Sequence, residues 1–484
     1  MILADEEFED ICFGFGVEVE FTDTNEMKKR HDVDDEEATK QAEEEEKKGD
    51  KKAQEKDKKA KKGKKKEKEE KAEPVYKIEV PANRYDLLSA EGIALAMRSY
   101  LGLGDLPQYR ILNKNETLER VIVLPETKEI RPYCVAAIVR NVTFTEDSYN
   151  SFIDLQDLLH QNICRRRKLV SMGTHDYDHF EGPITYEALT PEEIKFVPLN
   201  ETREMNGVEF MEHYSTDKYL KEYLPIIRDK PRYPIFFDKN RVVLSLPPIK
   251  NSSATAISVD TKNVFIEITA TDHKRAKIVL DILTTFLSYH SSDRYWIEQV
   301  QIEYPDGTIT VNPVLEEKEF EVTLKYINSI VGASLSIDEI EPLANKMGLK
   351  IKSRTDETFI VSVPVNRSDI LHAWDIAEDI GIAFGYNNIV TCIPQTLTIG
   401  KPLPKNKLTD LLRQELAQAG FIECMNVGLI SKAEVFEGVR KEFQTGVAVK
   451  IANSKTIEFN YFRNSLIPGM LKTLHSSMKE KVKL

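Results

Sequence analysis

The spacing of apolar residues along the chain predicts strands and helices in alternation. Apolar and polar residues alternate over 76–80, as in a half-buried strand, and apolar residues recur at helical intervals over 90–101. The same patterns predict strands at 120–124, 134–142, 168–172, 242–246, 264–270, 319–323 and 359–363 and helices at 148–166, 274–289, 336–347, 371–384 and 408–419. This mixture indicates an α+β protein with several domains.

One segment near the start breaks the pattern by its charge. Residues 32–46 hold nine acids and one base, and residues 47–71 hold 14 lysines and six acids. So polar a stretch buries too little surface to offset its ordering entropy, which predicts a disordered insertion at about 28–74. A second, compatible interpretation is a lysine arm that meets a polyanion.

Overall composition narrows the classes of protein that fit. With 484 residues the chain suggests three or four folding units, and a formal charge of −13 excludes a wholly basic nucleic-acid binder. No run of 18 apolar residues predicts a membrane span, and the acidic start does not resemble a signal segment. Five scattered cysteines without a Cys-x-x-Cys pair fit a reducing cytoplasm.

A nine-residue motif occurs twice. Residues 80–88 and 363–371 share Val, Pro, Asn, Arg, Asp and the final Leu, and each copy follows a predicted strand and precedes a predicted helix. One interpretation is a reused joint in which the aspartate caps the incoming helix. The other is that the Asn-Arg pairs at 83–84 and 366–367 face RNA or another subunit.

Four carboxylates follow the second copy of the motif. Asp375 lies three and four residues before Glu378 and Asp379, so the three share a helix face, and Asp369 stands at the helix entrance. An oxygen-only ligand set selects a hard ion such as magnesium. The alternative is an ordinary solvated helix face paired with Arg367.

Two polar constellations lie in the middle of the chain. In 171–179, His175 with Asp176 fits a general base and the group that orients it, and Thr174 adds a hydroxyl. The same residues are also ordinary turn chemistry after a strand.

The second constellation places polar residues beside aromatic and proline-rich stretches. Its members are Asn200, Thr202, Asp238 and Ser245. Together they suit a pocket for an aromatic group with one polar end. They are equally typical of turns at strand ends.

Motifs for a phosphate loop, a dinucleotide fold, a zinc protease and a serine hydrolase do not occur in the sequence, so a self-contained ATP site is not predicted.

Several long stretches in a fixed order resemble the β subunit of phenylalanine–tRNA ligase in its archaeal and eukaryotic cytosolic form. The stretches are 77–94, 173–176, 196–200, 244–249, 366–370, 375–379, 384–389, 403–421 and 463–471. The resemblance covers nearly the whole chain except the charged insertion. It implies an N-terminal module at 1–105 split by the insertion, an α+β editing domain at 110–295, a magnesium-binding and nucleic-acid-binding-like module at 299–392, and the start of a class II synthetase-like catalytic domain at 403–484.

The resemblance also implies an activity. The family's enzyme uses ATP to join phenylalanine to tRNA(Phe), as a heterotetramer of two α and two β subunits, in the cytoplasm. Amino-acid activation belongs to the α subunit, which agrees with the missing ATP motif here. The family carries magnesium at the positions of Asp369, Asp375, Glu378 and Asp379.

For the central domain, the resemblance implies hydrolysis of tyrosine wrongly attached to the tRNA. An apolar pocket rejects a near-isostere with an added hydroxyl only weakly, so a second site is needed to recognise that hydroxyl. Thr174, His175, Asp176, Asn200, Thr202, Asp238 and Ser245 are the candidates for this editing pocket. Relatives carry an acid at the Asn200 position, so water attack with help from the tRNA is favoured over a general base there.

Two further expectations accompany the resemblance. The family's chain normally continues beyond 484, so the sequence is expected to be incomplete at its C-terminus. A free-standing aminoacyl-tRNA deacylase or an RNA-binding scaffold made of the same modules is the alternative function.

Overall fold

The chain forms two compact units. The computed structural model describes residues 5–23, 74–104, 107–112, 117–396 and 398–478. The units are Met1–Thr391 and Cys392–Leu484, so the first three predicted modules pack as one body. The charged insertion predicted at about 28–74 lies, apart from its last residue, outside the described residues.

The N-terminal module is a helix–strand–strand–helix arrangement. Helix α1, Asp5–Phe15, leads into an antiparallel pair of strands, β1 Glu18–Asp23 and β2 Pro74–Glu79. The side chain of Ser89 then caps helix α2, Ala90–Tyr100, by accepting a backbone N–H of its first turn. Apolar side chains of the two helices and the two strands bury one another in a small core, which Met347 and Ala383 from later in the chain also join.

The central module is built on an eleven-stranded mixed sheet. The strands of this part of the chain are β3 Arg110–Ile111, β4 Glu119–Val123, β5 Tyr133–Val139, β6 Val170–Asp176, β7 Ile184–Leu189, β8 Lys195–Phe196, β9 Met205–Asn206, β10 Tyr233–Phe237, β11 Val243–Leu246, β12 Lys250–Asn251, β13 Val264–Ala270, β14 Trp296–Glu303 and β15 Ile309–Asn312. Strands β8 and β9 pair with each other, and the sheet has the order β12-β11-β10-β7-β4-β14-β5-β13-β6, with β3 and β15 also bonded to β14.

Helices cover the sheet. Helix α3, Glu146–Gln161, begins at a capping box between Thr145 and Ser148, and helix α4 is Gly207–Tyr214. Helix α5, His273–Tyr289, packs with α3 against the apolar residues of β5 and β13. Because helices and neighbouring strands enclose it, strand β13 is buried along its whole length.

The third module combines a three-stranded antiparallel sheet with three helices. Its elements are β16 Lys318–Thr323, α6 Leu324–Val331, α7 Ile337–Lys346, β17 Lys350–Arg354, β18 Thr358–Val363 and α8 Ala373–Phe384. The strand order is β16-β18-β17, and the helices bury their apolar faces together with β18.

The second unit contains less regular structure. Its elements are α9 Pro404–Gln418, β19 Leu429–Ile430, α10 Lys432–Val435, β20 Tyr461–Phe462 and α11 Ile467–Ser477. Strands β19 and β20 pair in an antiparallel manner. Among the helices of the described residues, none is long and apolar enough to cross a membrane.

The structure changes three expectations drawn from the sequence. The helix predicted to run to residue 166 ends at Gln161, because Asn162 has a non-helical ψ angle of −98° and the residues at 165–167 have positive φ angles. The strand predicted at 168–172 occupies Val170–Asp176. Strand β14 lies inside the large sheet, between β4 and β5, and therefore crosses the boundary predicted between residues 295 and 299.

Candidate functional site

A cavity of about 400 Å³ lies in the central module, beside helix α3 and strands β11 and β12. This volume falls in the range of small-molecule sites. Its lining combines apolar side chains, among them Ile153, Leu220 and Leu246, with convergent polar groups. The polar side chains in this lining include Gln156, His160, Arg167, Ser245, Lys250 and Glu267.

Glu267 is the buried carboxylate of this cavity. It lies in the middle of strand β13, is 1 % exposed and lines the cavity. Its Oε1 accepts a 2.6 Å hydrogen bond from Ser245 Oγ, and Nε2 of His175 lies 3.8 Å from the same oxygen. Within the described residues, Oε2 has no hydrogen-bond partner. Because an unpaired buried carboxylate oxygen is unfavourable, Glu267 is ready to accept a hydrogen bond from a ligand.

Strand β6 carries a glycine, Gly173, directly opposite Glu267. A Cβ atom at Gly173 would lie 2.3 Å from Glu267 Oε1 and 2.9 Å from His175 Nε2. The absence of a side chain at Gly173 therefore makes room for the carboxylate.

His160 is a neutral donor in the cavity wall. Its Nε2 accepts from Met172 N–H at 3.2 Å, which assigns the ring proton to Nδ1. Burial, followed by the nearby charges of Arg167 and Arg131, holds the pKa of His160 well below its usual value. Nδ1 has no partner among the described residues, so this wall offers a buried N–H to a ligand.

Two cations also line the cavity. Nζ of Lys250 lies 4.8 Å from the ring centre of Tyr214, and burial lowers the pKa of this lysine. The guanidinium of Arg167 stacks over Tyr223 at 4.4 Å and donates to the carbonyl oxygen of Ile249 at 2.9 Å. Both cations are thereby held in place by aromatic and backbone contacts.

Asn200 stands at the exposed side of the cavity. It lines the cavity, is exposed to solvent and has a φ angle of 65°, in the left-handed region. Its side chain makes no hydrogen bond within the part of the chain that the structure describes. The amide is therefore available to a ligand, and asparagine readily adopts this backbone conformation in turns.

The structure separates the residues predicted for the editing pocket. Asn200 and Ser245 line the cavity. Thr202 is exposed and is not among the lining residues. Asp238 does not line the cavity either, because its carboxylate accepts the backbone N–H groups of Asn240 and Val242 and so closes the β10–β11 hairpin.

The predicted trio in strand β6 lies behind the cavity wall. The hydroxyl of Thr174 bonds Gln156, and Nδ1 of His175 bonds Thr255. The carboxylate of Asp176 accepts from Thr261 Oγ1 at 2.7 Å. His175 and Asp176 therefore do not form the base-and-orienter pair that their adjacency suggested, because neighbouring strand residues point to opposite faces.

The sequence reasoning missed Glu267, His160, Arg167 and Lys250. A glutamate in the otherwise uncharged stretch 264–270 is the one signal that the sequence offered for Glu267. A charge in a fully buried strand needs a partner or a function.

The predicted magnesium ligands do not converge on one point. Arg367 Nη2 donates to Asp369 Oδ2 at 2.8 Å and to Asp379 Oδ2 at 2.7 Å. One oxygen of Asp375 accepts the N–H groups at 371 and 372 at the start of α8, and Glu378 is exposed. In the described ranges no group of three or more His, Cys, Asp or Glu side chains is placed to hold a metal ion.

Arg367 therefore occupies the position of the expected cation. Burial alone would raise the pKa of Asp369, but the hydrogen bonds and charge of Arg367 outweigh it and hold that pKa below its usual value. As arranged, these residues do not fit a magnesium ion.

The two copies of the nine-residue motif meet in the same cluster. Arg84 makes a two-pronged ion pair with Asp86 at 2.9 Å, and its Nε lies 4.0 Å from Asp369 Oδ2. Arg84 and Arg367 are 9 % and 4 % exposed, so neither arginine side chain is open to RNA, whereas Asn83 is exposed and Asn366 is half-buried. The suggestion that the aspartates cap the following helices is wrong, because Ser89 and His372 occupy those cap positions.

Models of tRNA synthetase domains match the chain in four successive stretches. They are the Phe-tRNA synthetase beta subunit B1 domain at 1–103, the B3/4 domain at 130–291, the tRNA synthetase B5 domain at 320–386 and the Phenylalanyl tRNA synthetase beta chain CLM domain at 389–484. The cavity and Glu267 fall within the B3/4 match. The chain is thus assembled from the domains of an aminoacyl-tRNA ligase subunit.

Whole-chain relatives make the assignment more specific. The phenylalanine–tRNA ligase beta subunit of Drosophila melanogaster is 43 % identical over 98 % of this chain and 76 % of its own length, and that of Homo sapiens is 40 % identical over the same shares. An N-terminal fragment of the phenylalanyl-tRNA synthetase beta subunit from Pyrococcus horikoshii superimposes with a TM-score of 0.64 at 31 % identity, covering 79 % of this chain and 95 % of the fragment. The chain belongs to the family of phenylalanine–tRNA ligase β subunits, components of an aminoacyl-tRNA ligase.

Proposed function

We propose that the central cavity hydrolyses tyrosine wrongly attached to tRNA. The observation that carries this proposal is the buried Glu267, which lines a cavity of ligand size and whose Oε2 has no hydrogen-bond partner among the described residues. A phenolic O–H donates to a carboxylate, whereas the ring of phenylalanine has nothing to donate. The cavity therefore favours tyrosine over the amino acid that the ligase is meant to attach.

The expected selectivity follows from burial. With phenylalanine bound, Oε2 of Glu267 would stay desolvated and unpaired. A site built to bond a hydroxyl rejects the analogue without it by about 10⁴-fold or more. Ser245 supports the selectivity because its hydrogen bond to Oε1 holds the carboxylate in one orientation.

The reacting ester lies at the other end of the bound tyrosine. Because RNA is too large to enter, the ester stays at the open side of the cavity, where the amide of Asn200 is exposed and unpaired among the described residues. Asn200 orients the attacking water or the ester carbonyl. Water adds to the carbonyl carbon, the acyl C–O bond breaks, and the ribose oxygen takes up a proton as the RNA leaves.

The chain acts with a partner. The relatives are named beta subunits, which implies a companion α subunit. Together the two kinds of subunit form a heterotetramer of two α and two β subunits in the cytoplasm and attach phenylalanine to tRNA(Phe) at the expense of ATP. Activation takes place on the α subunit. A relative from Arabidopsis thaliana is named cytoplasmic.

Magnesium at Asp369, Asp375, Glu378 and Asp379 stays a prediction from the resemblance. The pairing of Arg367 with two of these carboxylates weighs against it. No step of the hydrolysis is assigned to the ion.

The test compares two charged tRNAs with the assembled enzyme. Wild-type enzyme should deacylate tyrosyl-tRNA rapidly and phenylalanyl-tRNA slowly. Glu267→Gln should lower kcat/KM for tyrosyl-tRNA by about 10- to 100-fold, since a hydrogen bond to a charged group contributes about 1.5–3 kcal/mol. Equal hydrolysis of both tRNAs, or of neither, would refute the editing proposal.

A matched control is available on strand β14. Glu298 is also buried, but it is paired with Arg140 through two hydrogen bonds and does not line the cavity. Glu298→Gln should reduce stability and leave the preference for tyrosyl-tRNA intact. If both glutamate variants changed the preference equally, Glu267 would act through folding and not as a reader of the hydroxyl.

A further inference from the structure

The segment that follows helix α3 has an unusual backbone. Arg165, Arg166 and Arg167 have φ angles of 51°, 51° and 60°, all in the left-handed region. For a residue with a side chain this conformation costs about 1–2 kcal/mol. Three such residues in succession persist only where the surroundings fix them, and such strain is concentrated at functional positions.

A buried arginine fixes this segment, which we call the arginine turn (residues 165–168). Arg131 is 1 % exposed, and its Nη1 donates to the carbonyl oxygens of Arg167 and Lys168 at 3.2 and 3.3 Å. Its Nε and Nη2 donate to the hydroxyl and carbonyl oxygens of Thr269 at 3.0 and 2.8 Å. Arg131 has no carboxylate partner in the described part of the chain, so its desolvation is offset by these four hydrogen bonds.

One side chain of the arginine turn lines the cavity, and the other three are exposed to solvent. Arg167 lines the cavity and stacks on Tyr223. Arg165, Arg166 and Lys168 are exposed. The side chains of Arg165 and Lys168 make no hydrogen bond or ion pair with any described residue, and Arg166 makes an exposed ion pair of 3.6 Å with Glu222.

We propose that the arginine turn binds the phosphate backbone of the single-stranded 3′ end of the RNA and so positions the aminoacyl ester at the cavity. This proposal rests on the editing function proposed above and adds the residues that hold the RNA. Arg165, Arg166 and Lys168 supply the phosphate contacts, and Arg167 joins them to the cavity wall.

Charge and position favour an RNA end over a protein partner. Arg167 lines the cavity and its neighbours in the turn are exposed, so a molecule that places an amino acid in the cavity can reach these cations with the part that stays outside. An RNA strand brings one negative charge per nucleotide to that place, and arginine pairs with phosphate through two parallel N–H groups. The nearby acids Asp157 and Glu222 form only long ion pairs with the turn, at 4.0 and 3.6 Å, which phosphates can replace.

The experiment measures RNA binding and hydrolysis separately. The probe is an uncharged, labelled RNA hairpin with a single-stranded 3′ end, titrated with the full chain by fluorescence anisotropy at several salt concentrations. Arg165→Ala/Arg166→Ala should weaken binding and lower the slope of log Kd against log salt by about 1.4, at about 0.7 per phosphate contact on a single strand. The matched control is Lys274→Ala/Lys277→Ala, which removes two exposed charges at the start of α5.

Hydrolysis then shows whether the cavity is intact. The arginine variant should raise KM for tyrosyl-tRNA and leave kcat nearly unchanged, and it should hydrolyse the tyrosyl ester of adenosine, which has no phosphodiester, at the wild-type rate. An RNA affinity and salt slope equal to those of the lysine control would overturn the proposal even if editing continued.

Two further outcomes are decisive. If wild type deacylates nothing while the arginine variant loses RNA binding, the editing function fails and the phosphate contacts stand. If the arginine variant keeps RNA binding and loses only its partner subunit or its folding stability, the turn serves protein contact or helix capping and the proposal is wrong. Cations beyond the end of a helix do stabilise it, by about 0.3–1 kcal/mol, so stability is measured for both variants.

Discussion

Two buried clusters of charged side chains in the large unit differ in how their polar atoms are paired. In the third module, Asp369 and Asp379 are bonded to Arg367, and Arg84 with Asp86 completes the cluster. In the cavity, Glu267 has a single hydrogen bond to Ser245, and its second oxygen has no partner among the described residues. The sequence predicted a binding site at the first cluster. In the structure, the carboxylate oxygen that is free to bind a ligand belongs to the second cluster.

The contrast separates a structural role from a binding role. A buried carboxylate that is already neutralised has nothing left to offer a ligand, and removing its partner is strongly unfavourable. A buried carboxylate with an unpaired oxygen beside a cavity lowers the stability of the folded protein, and a ligand that donates a hydrogen bond to that oxygen removes this cost. The first cluster should therefore control folding, and the second should control substrate preference.

The largest expected effect tests the structural role of Arg367. Arg367→Ala removes the cation that is bonded to both buried carboxylates and leaves Arg84, 4.0 Å from Asp369, as the nearest positive charge, so it should lower the free energy of unfolding by about 3–5 kcal/mol. Chemical denaturation measures the loss. As a control, Arg354→Ala removes exposed ion pairs to Asp338 and Glu341 and should cost less than about 1 kcal/mol. Similar losses for both variants would mean that the cluster does not hold the module together.

The next effect tests the cavity. Gly173→Ala places a Cβ atom against Glu267 Oε1, so the carboxylate has to move. We expect a loss of about 1–3 kcal/mol in stability and a clear fall in kcat/KM for tyrosyl-tRNA. Gly428→Ala is the control, because a Cβ atom there meets nothing within 4 Å. Full editing activity in Gly173→Ala would show that the orientation of Glu267 does not matter.

Local patterns explain what the sequence could predict. The apolar run at 264–270 predicts strand β13 at its observed bounds, and helical spacing places α5 to within one residue. A short continuous apolar run indicates a strand that is buried on both faces, and a repeat of about 3.6 residues indicates a helix with one buried face. The large sheet itself was not predictable, since β14 pairs with β3, β4 and β5 from distant parts of the chain.

The site was only partly predictable for the same reason. The carboxylates at 369–379 are close in sequence, which suggested one metal centre, whereas the fold turns them toward different partners. Glu267 and Ser245 are 22 residues apart, and nothing local to either marks them as a pair. Asn200 was a candidate because it lies beside an aromatic and proline-rich stretch, 196–200, that also carries the family resemblance. Arg131 contacts the arginine turn only because the strands that follow them, β5 and β6, lie in the same sheet, and the local sequence does not indicate this contact.

The smallest expected effect is a change in magnesium affinity at the first cluster. It tests whether Arg367 or a metal ion neutralises these carboxylates. Because Arg367 takes the place of an ion, Arg367→Gln should bind magnesium more tightly than wild type does, in a calorimetric titration. At an ion concentration ten times the Kd, binding should return about 1.4 kcal/mol of the lost stability. Tight binding to wild type, weakened by Asp375→Asn or Glu378→Gln, would instead establish that an ion and Arg367 share these carboxylates. In that case the hydrogen-bond pattern would exaggerate the difference between the two clusters, since the carboxylates of both would still be able to bind a ligand.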